Sequence, residues 1–147
     1  MTSEPVYFYT SGEDWGDFSN FSRHGVEMDG VWWPTVEHYF QAQKFDDRAY
    51  REQIRKASTP KQAANLGRSR EVPLRSDWED VKVAVMRNVV RKKIQTHAGV
   101  REQLLATGTR DIVENAPGDR FWGCGADGTG QNWLGRVLQE VRAEIAS

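Results

Sequence analysis

Residues 32–45 read WWPTVEHYFQAQKF, and the interpretation of the remaining chain depends on this stretch. It predicts the end of a strand followed by a helix, because Thr35 is a favoured N-cap and the residue before a proline avoids helical backbone angles. At about 100° per residue, Glu37, Gln41 and Lys44 fall on one face of that helix. A narrow polar stripe among aromatic side chains is typical of a cleft wall, so we predict that Glu37 and Lys44 do chemistry there.

The residues of this stripe also have an ordinary structural interpretation. A carboxylate such as Glu37 in a first turn complements the helix dipole, and a single helical lysine is most often a solvated surface group. Glu37 and Lys44 would lie roughly 10 Å apart along the axis at ~1.5 Å rise per residue. That separation is too long for a direct salt bridge, but it suits two groups that grip one substrate. Gln41, between them, is predicted to hold one of these side chains in place.

The composition narrows the class of protein. A chain of 147 residues is expected to form one domain, residues 1–147, that buries a core without disulfides or metals. Cys124 is the only cysteine in the sequence, so an internal disulfide cannot form and a reducing compartment is favoured. No apolar run approaches the ~20 residues of a membrane helix, and residues 1–5 (MTSEP) show no signal-peptide pattern. We therefore expect a cytoplasmic protein with no membrane partner.

Periodicity and capping residues predict an α+β class, a mostly helical single domain with a small antiparallel sheet fed mainly by the N-terminal third. Asp29-Gly30 predicts a hairpin turn, and Gly67 is predicted to follow the third helix as its C′ residue. The expected strands are residues 6–9, the two arms of the hairpin at 26–32, and 111–114. The expected helices are residues 36–45, 47–56, 60–66, 77–96, 99–106 and 132–145.

A glycine-rich loop over residues 117–130 precedes the last helix. Its residues 123–128 match G-x-G-x-x-G, but a dinucleotide fold requires an apolar strand directly before this pattern, and residues 116–120 (APGDR) are not one. The glycines are better explained by a tight loop. The loop and its end still carry Asp119, Trp122 and Asn132, which could reach a ligand.

The sequence offers no pattern for a metal or a cofactor. Cys124 as a nucleophile would need a nearby base, yet the three histidines, at positions 24, 38 and 97, have no telling spacing. The same scatter provides no Cys/His ligand pair for zinc. We therefore expect neither a metal nor a cofactor.

Six strings of the sequence resemble the signature of the YbiA/NADAR family. They are GDFSNF at 16–21, WPTVEHYFQAQKF at 33–45, ANLGR at 64–68, RSDW at 75–78, DRFWG at 119–123 and GQNWLGR at 130–136. Because these strings occur in order over nearly the whole chain, the resemblance is specific. The glycine-rich loop departs from the family pattern in detail at Cys124 and Ala126.

The resemblance is closest to the bacterial YbiA-like branch, and it implies an N-glycosidase. Its implied substrates are early riboflavin-biosynthesis intermediates, ribosylamino-pyrimidine phosphates, from which ribose 5-phosphate is released to dispose of a damaging metabolite. The family pattern implies Glu37, Trp78, Asp119 and Trp122 at the active site. Lys44 matches a family lysine implicated in a Schiff base with the anomeric carbon of the released sugar.

These implied roles fit the chemistry of an oxocarbenium-like transition state. Either Glu37 or Asp119 would stabilise the developing positive charge or orient water, while the other relays protons, and the sequence leaves this assignment open. Trp78 and Trp122 would stack on the planar base. Burial between two phenylalanines, at positions 40 and 45, would depress the pKa of Lys44 and so make its amine nucleophilic.

Three further residues are expected to bind substrate. Arg68 suits the 5′-phosphate through its fork geometry, although a polar residue at the end of a helix is equally ordinary. Asn20 and Asn132 lie within the family strings at the two ends of the chain.

Two other functions stay open from the sequence. Other NADAR members remove ADP-ribose from modified guanine bases, and the same cleft could also bind ADP-ribose or a nucleotide without turnover. The chain has 20 basic and 21 acidic residues, a balance that weighs against a nucleic-acid partner but not against a small base or nucleotide substrate.

Overall fold

The computed structural model describes residues 4–147, and these residues divide into two compact units. One unit contains residues 4–22 with 94–147, and the other contains residues 23–93. The single-domain organisation expected for residues 1–147 stays a prediction. Across residues 4–147, no helix combines the length and the apolar character that crossing a bilayer requires.

The mostly helical α+β class is confirmed. In the described chain the helices α1 to α6 cover Val36–Ala42, Arg48–Arg55, Pro60–Arg68, Trp78–Thr96, Ala98–Ala106 and Trp133–Ala146. The strands β1 to β4 cover Val6–Phe8, Val26–Met28, Val31–Trp33 and Ile112–Glu114, and a single 3-10 turn occupies Gly16–Phe18.

The predicted hairpin is the antiparallel pair β2–β3. Val26 pairs with Trp33, and the turn residues Asp29 and Gly30 both have positive φ, at 55° and 82°. A tight two-residue hairpin turn requires two consecutive positive φ angles. Aspartate and glycine both tolerate such angles, which explains why they occupy positions 29 and 30.

A second sheet was not predicted, since the sequence analysis expected antiparallel pairing alone. In the first unit β1 and β4 pair in parallel, with Val6 opposite Ile112. The two strands are separated by most of the chain, and parallel pairing leaves no hairpin turn in the sequence to reveal it.

Helix α1 is the centre of the unit formed by residues 23–93. All seven of its residues are buried, and α2 and α3 pack against it with the buried side chains of Ile54, Ala63 and Ala64. The N-cap prediction is confirmed, because the Thr35 hydroxyl accepts a hydrogen bond from the backbone N–H of His38 at 3.1 Å. A helix with no solvated face must satisfy its polar side chains internally.

Two predicted helix ends in this unit are wrong by two residues or more. Helix α1 ends at Ala42 rather than at Phe45, because the chain tightens to i→i−3 hydrogen bonds, with the N–H of Lys44 donating to the carbonyl of Gln41 at 3.3 Å. Gly67 lies inside α3 instead of following it, and Ser69 is the extended C-cap. The tertiary environment of Gly67 explains this glycine, because an added Cβ would overlap the side chain of Gln41.

In the other unit, α6 packs directly on β4. Gly135 faces the backbone of the strand, where an added Cβ would overlap the carbonyl oxygen of Ile112 and lie 2.7 Å from Oδ1 of Asn132. Asn132 has left-handed backbone angles, so α6 begins one residue later than predicted, at Trp133. The close approach of helix and strand therefore depends on a glycine.

We expect Gly135→Ala to destabilise the fold by about 1–3 kcal/mol, because the added methyl group meets backbone that cannot rotate away. Gly99→Ala is the matched control, since Gly99 is also helical but has nothing within 4 Å of an added Cβ. The control should be neutral or stabilising by up to ~1 kcal/mol. Denaturant unfolding measures both, and equal stability of the two variants would contradict the packing described.

Candidate active site

The carboxylate of Glu37 lies in the first turn of α1 and is almost completely buried, at 9% exposure. Nε2 of Gln41, one turn later, donates a hydrogen bond to Oε2 of Glu37 at 2.7 Å. The sequence-based expectation that Gln41 holds a neighbouring side chain in place is therefore confirmed for Glu37. A buried carboxylate that keeps a donor can remain charged at lower free-energy cost than an isolated one.

Lys44 follows the end of α1 and has a lowered pKa. Burial is the main cause, and the positive charges of Arg70, Arg68 and Lys82 lower the pKa further, while the negative charge of Glu37 opposes them. The expected direction of the shift is confirmed. A lysine with a lowered pKa has a larger fraction of neutral, nucleophilic amine at neutral pH.

The backbone around Lys44 is fixed by the linker between α3 and α4. The N–H of Arg75 donates to the carbonyl of Lys44 at 2.8 Å, and the Arg75 guanidinium is held by the Asp77 carboxylate at 2.6 Å. The linker therefore holds the backbone of Lys44 next to the end of α1.

Three cations lie within electrostatic range of Lys44, and they differ in how they are held. Arg68 donates to the side chain of Asn65 at 2.9 Å, and Arg70 donates to the carbonyl of Gly67 at 2.9 Å. Lys82 forms an ion pair with the exposed carboxylate of Glu79 at 2.6 Å. We call Arg68, Arg70 and Lys82 the basic cluster.

Sequence analysis proposed Arg68 from this cluster and missed Arg70 and Lys82. The spacing of Lys82, one helical turn after Trp78, was a usable signal because residues i and i+4 share a helix face. Arg70 had no such signal, since it lies in an irregular linker.

Trp78, the first residue of α4, is only 5% exposed and packs against Phe40 of α1 with ring centroids 5.1 Å apart. This contact brings the start of α4 against the aromatic side of α1. The structure therefore gives Trp78 a packing role, and stacking on a substrate base stays a prediction.

His38 has a structural role in α1. Its Nδ1 lies 2.8 Å from the Thr35 hydroxyl and its Nε2 lies 3.0 Å from the carbonyl of Ala57. Burial lowers the pKa of the imidazole, although the hydrogen bond to Ala57 raises it by less. A neutral ring that donates from Nε2 and accepts at Nδ1 satisfies both partners.

The predicted residues of the glycine-rich loop belong to the other unit. Oδ1 of Asp119 accepts hydrogen bonds from the backbone N–H groups of Phe121 and Trp122, at 3.0 and 2.8 Å. Trp122 is half-buried, with Phe121 packed edge-on at 4.8 Å between ring centroids. Asp119 therefore fixes the backbone that presents Trp122, and the catalytic role of this carboxylate stays a prediction.

The side chain of Asn132 is used by the fold. Its Oδ1 accepts from the N–H of Glu114 at 2.9 Å, and its Nδ2 donates to the carbonyl of Ile112 at 2.8 Å. Asn132 thus holds the start of α6 against the two ends of β4, Ile112 and Glu114. Asn20 is half-buried after the 3-10 turn, and substrate contacts by either asparagine stay predictions.

Within residues 4–147, no three His, Cys, Asp or Glu side chains are grouped closely enough to hold a metal ion. The Cys124 thiol is buried and donates weakly to Oδ1 of Asn115 at 3.5 Å and to the carbonyl of Gly125 at 3.4 Å.

A family model for the NADAR domain matches residues 7–146 of this sequence. The chain belongs to the NADAR family. The resemblance found in the six sequence strings is thereby confirmed over the length of the chain.

This NADAR chain is similar to two proteins named as N-glycosidases. It is 50% identical to N-glycosidase YbiA of Escherichia coli (strain K12), over 99% of this chain and 91% of that protein. It is 51% identical to N-glycosidase Npun_R5314 of Nostoc punctiforme, over 95% of this chain and 92% of that protein. The NMR structure of the Escherichia coli protein YbiA matches with a TM-score of 0.91 and 49% identity, covering 99% of this chain and 87% of that one.

A longer relative contains a region similar to this NADAR chain. The chain is 43% identical to "Riboflavin biosynthesis protein VVA0006" of Vibrio vulnificus, over 99% of this chain but 40% of that protein. The similar region thus accounts for less than half of the Vibrio protein.

The electrostatics around Lys44 in this NADAR chain make a signed prediction. Glu37→Gln should lower the pKa of Lys44 further, because it removes the negative charge that favours the ammonium. Arg70→Ala should raise that pKa, because it removes a repelling positive charge. NMR titration of the Lys44 Cε signal measures both shifts, and shifts of the same sign in the two variants would contradict this arrangement.

Proposed function

We propose that this chain hydrolyses the N-glycosidic bond of ribosylamino-pyrimidine phosphates, early intermediates of riboflavin biosynthesis, to release ribose 5-phosphate. Membership of the NADAR family and the N-glycosidase names of two relatives of about 50% identity make it a hydrolase of N-glycosyl bonds. The single observation that carries the mechanism is the half-buried Lys44 amine, whose pKa is lowered mainly by desolvation although the buried Glu37 carboxylate acts on it in the opposite direction.

Glu37 is proposed to serve the sugar. Breaking an N-glycosidic bond develops positive charge at C1, which a fixed carboxylate stabilises most strongly where water is excluded. Glu37 is buried, it holds a donor from Gln41, and its charge acts on Lys44. Asp119, whose Oδ1 holds the backbone of its own loop, is proposed as the proton relay.

Lys44 is proposed to act on the ring-opened sugar. In the ring-opened substrate C1 is double-bonded to the amino nitrogen of the pyrimidine. The neutral amine would add at C1 and its two hydrogens would pass to that nitrogen, so that the bond from C1 to the pyrimidine nitrogen breaks, the amino-pyrimidine leaves as a free amine and C1 stays double-bonded to Lys44. The imine between Lys44 and the sugar would then add water, which restores the amine and releases ribose 5-phosphate. Burial favours this step because it stabilises the neutral amine relative to the ammonium.

The basic cluster is proposed to bind the 5′-phosphate of this substrate. Arg68, Arg70 and Lys82 all place positive charge within range of Lys44, and a phosphate bound among them would neutralise part of that repulsion. Guanidinium groups also match the geometry of phosphate oxygens. The proposed substrate class therefore fits the sign of the charge beside the proposed nucleophile.

The pyrimidine base is proposed to stack on the tryptophans of the family pattern. Trp122 is half-buried and held by its own loop, whereas Trp78 is almost completely buried against Phe40. Trp122 is therefore the better candidate for direct stacking, and Trp78 for support of the α1 wall. The riboflavin name of the Vibrio relative adds support for a pyrimidine substrate.

We expect Glu37→Gln to reduce base release by at least 100-fold, because it keeps the shape of the side chain and removes the charge that stabilises the sugar cation. The assay runs the ribosylamino-pyrimidine phosphate beside an ADP-ribosylated guanine. Glu52→Gln, which changes a half-buried carboxylate of α2 that pairs with Arg55 and Lys56, is the control. Unchanged turnover in Glu37→Gln would remove the carboxylate from the mechanism, and faster turnover of the guanine compound would replace the proposed substrate.

Borohydride reduction during turnover should add the mass of the sugar phosphate at Lys44, because a reduced imine is a stable secondary amine. Peptide mass mapping locates the adduct, and Lys44→Arg should remain unmodified while keeping the positive charge. An active wild-type protein that gains no mass would favour direct attack by water on the sugar.

A further inference from the structure

Gln41 and Gly67 join two neighbouring helices at the carboxylate of Glu37. We propose that Gln41 is a positioning residue for Glu37, and that Gly67 is the residue of α3 that makes room for the Gln41 amide. The role of Glu37 in this inference rests on the proposed function. The physical arrangement itself depends only on residues 23–93, which form one compact unit.

The Gln41 amide is buried, and in the described chain only its NH₂ group forms a hydrogen bond. The side chain is 7% exposed, and its Nε2 donates to Oε2 of Glu37 at 2.7 Å. Its Oε1 is buried and has no hydrogen-bond partner among the described residues. An amide oxygen left without a strong donor is costly, so its placement calls for a physical explanation.

Gly67 supplies that explanation from the opposite helix. A Cβ built on Gly67 would overlap Oε1 of Gln41 and lie 2.6 Å from its Cδ. The amide oxygen therefore occupies the direction in which a side chain of residue 67 would begin, and a Cα–H of the glycine points at it. Such a Cα–H···O contact is weak, and it offsets only part of the cost of the missing hydrogen bond.

The backbone of Gly67 does not itself require glycine. Gly67 lies inside α3 and is not among the described residues with positive φ. Glycine within a helix lowers helix stability compared with alanine. The side-chain space taken by Gln41 is thus the observed reason for a glycine at this position.

The two ends of the amide determine its orientation. A carboxylate accepts hydrogen bonds and does not donate them when charged, so the NH₂ end of Gln41 must face Glu37 and the oxygen must face Gly67. Oε1 is covered by α3 and is buried, which removes it from direct contact with substrate. Gln41 therefore acts through Glu37, as a positioning residue rather than a catalytic one.

The arrangement makes the geometry of the Glu37 carboxylate depend on α3. If residue 67 carried a side chain, the Gln41 amide would have to rotate, and its hydrogen bond to Glu37 would be lost. Because a hydrogen bond to the charged form stabilises a carboxylate, its loss raises the pH at which that carboxylate titrates. This effect distinguishes positioning from a general loss of packing.

The test compares Gln41→Ala, Gly67→Ala and the double variant with wild type, and Gly99→Ala is the matched helical control. Carboxyl-carbon NMR titration of Glu37 and the kcat and KM of base release are measured for each. We expect the Glu37 titration to move to higher pH in both single variants and kcat to fall by about 10- to 100-fold, with a smaller change in KM. The control should change neither quantity.

The double variant decides whether Gly67 acts through Gln41. Alanine at position 41 leaves space for a methyl group at position 67, so the double variant should match Gln41→Ala in titration and in kcat. A double variant that loses the product of the two single effects would overturn the proposal. So would a folded Gly67→Ala whose Glu37 titrates as in wild type.

Folding and activity outcomes stay separable. If Gly67→Ala does not fold, the double variant replaces it, and a double variant that also fails to fold would show that Gly67 serves something other than Gln41. If wild type releases no base from either substrate, the proposed function fails, while the NMR titration still tests the positioning of Glu37.

Discussion

The structure of residues 23–93 depends on burying α1 on every side while keeping a carboxylate within it. All seven residues of this helix are buried, and three of them, Glu37, His38 and Gln41, carry a carboxylate, an imidazole or an amide. The hydrogen bond that Gln41 donates to Glu37 replaces one that the carboxylate would otherwise accept from water. At the start of the helix, the Thr35 hydroxyl likewise forms hydrogen bonds with the backbone N–H and the ring of His38.

The same burial decides the chemistry of Lys44. Desolvation and the repulsion from the basic cluster both favour the neutral amine, and together they outweigh the attraction of Glu37. A charge pattern that looks unfavourable for a lysine is useful for an enzyme that needs a nucleophile and a phosphate site side by side. The cations that repel the ammonium are the groups that an anionic substrate would use.

Sequence reasoning succeeded where a single segment carries its own signal. The Thr35 cap, the Asp29-Gly30 hairpin and the contact between Glu37 and Gln41 each follow from residues that are neighbours in the chain, whereas Lys44 lies beyond the end of α1. It failed where the structure at a residue depends on contact with a residue that is distant in the sequence. Gly67 was predicted to follow the third helix, but it lies inside α3, where a side chain would overlap the Gln41 amide. The parallel partner of β1 is β4, which lies much later in the sequence.

By itself, the sequence determined the helical α+β class, the family, and the set of residues that the family pattern implies, because local spacing and long ordered strings are properties of the chain. Only the tertiary structure decided which polar groups are buried together. It showed that Gln41 binds Glu37, that Arg70 and Lys82 act on Lys44, and that Asn132 is occupied by β4. The physical reason is that desolvation and Coulomb interaction depend on distance in space, which helix periodicity predicts for neighbours on α1 and cannot predict between helices.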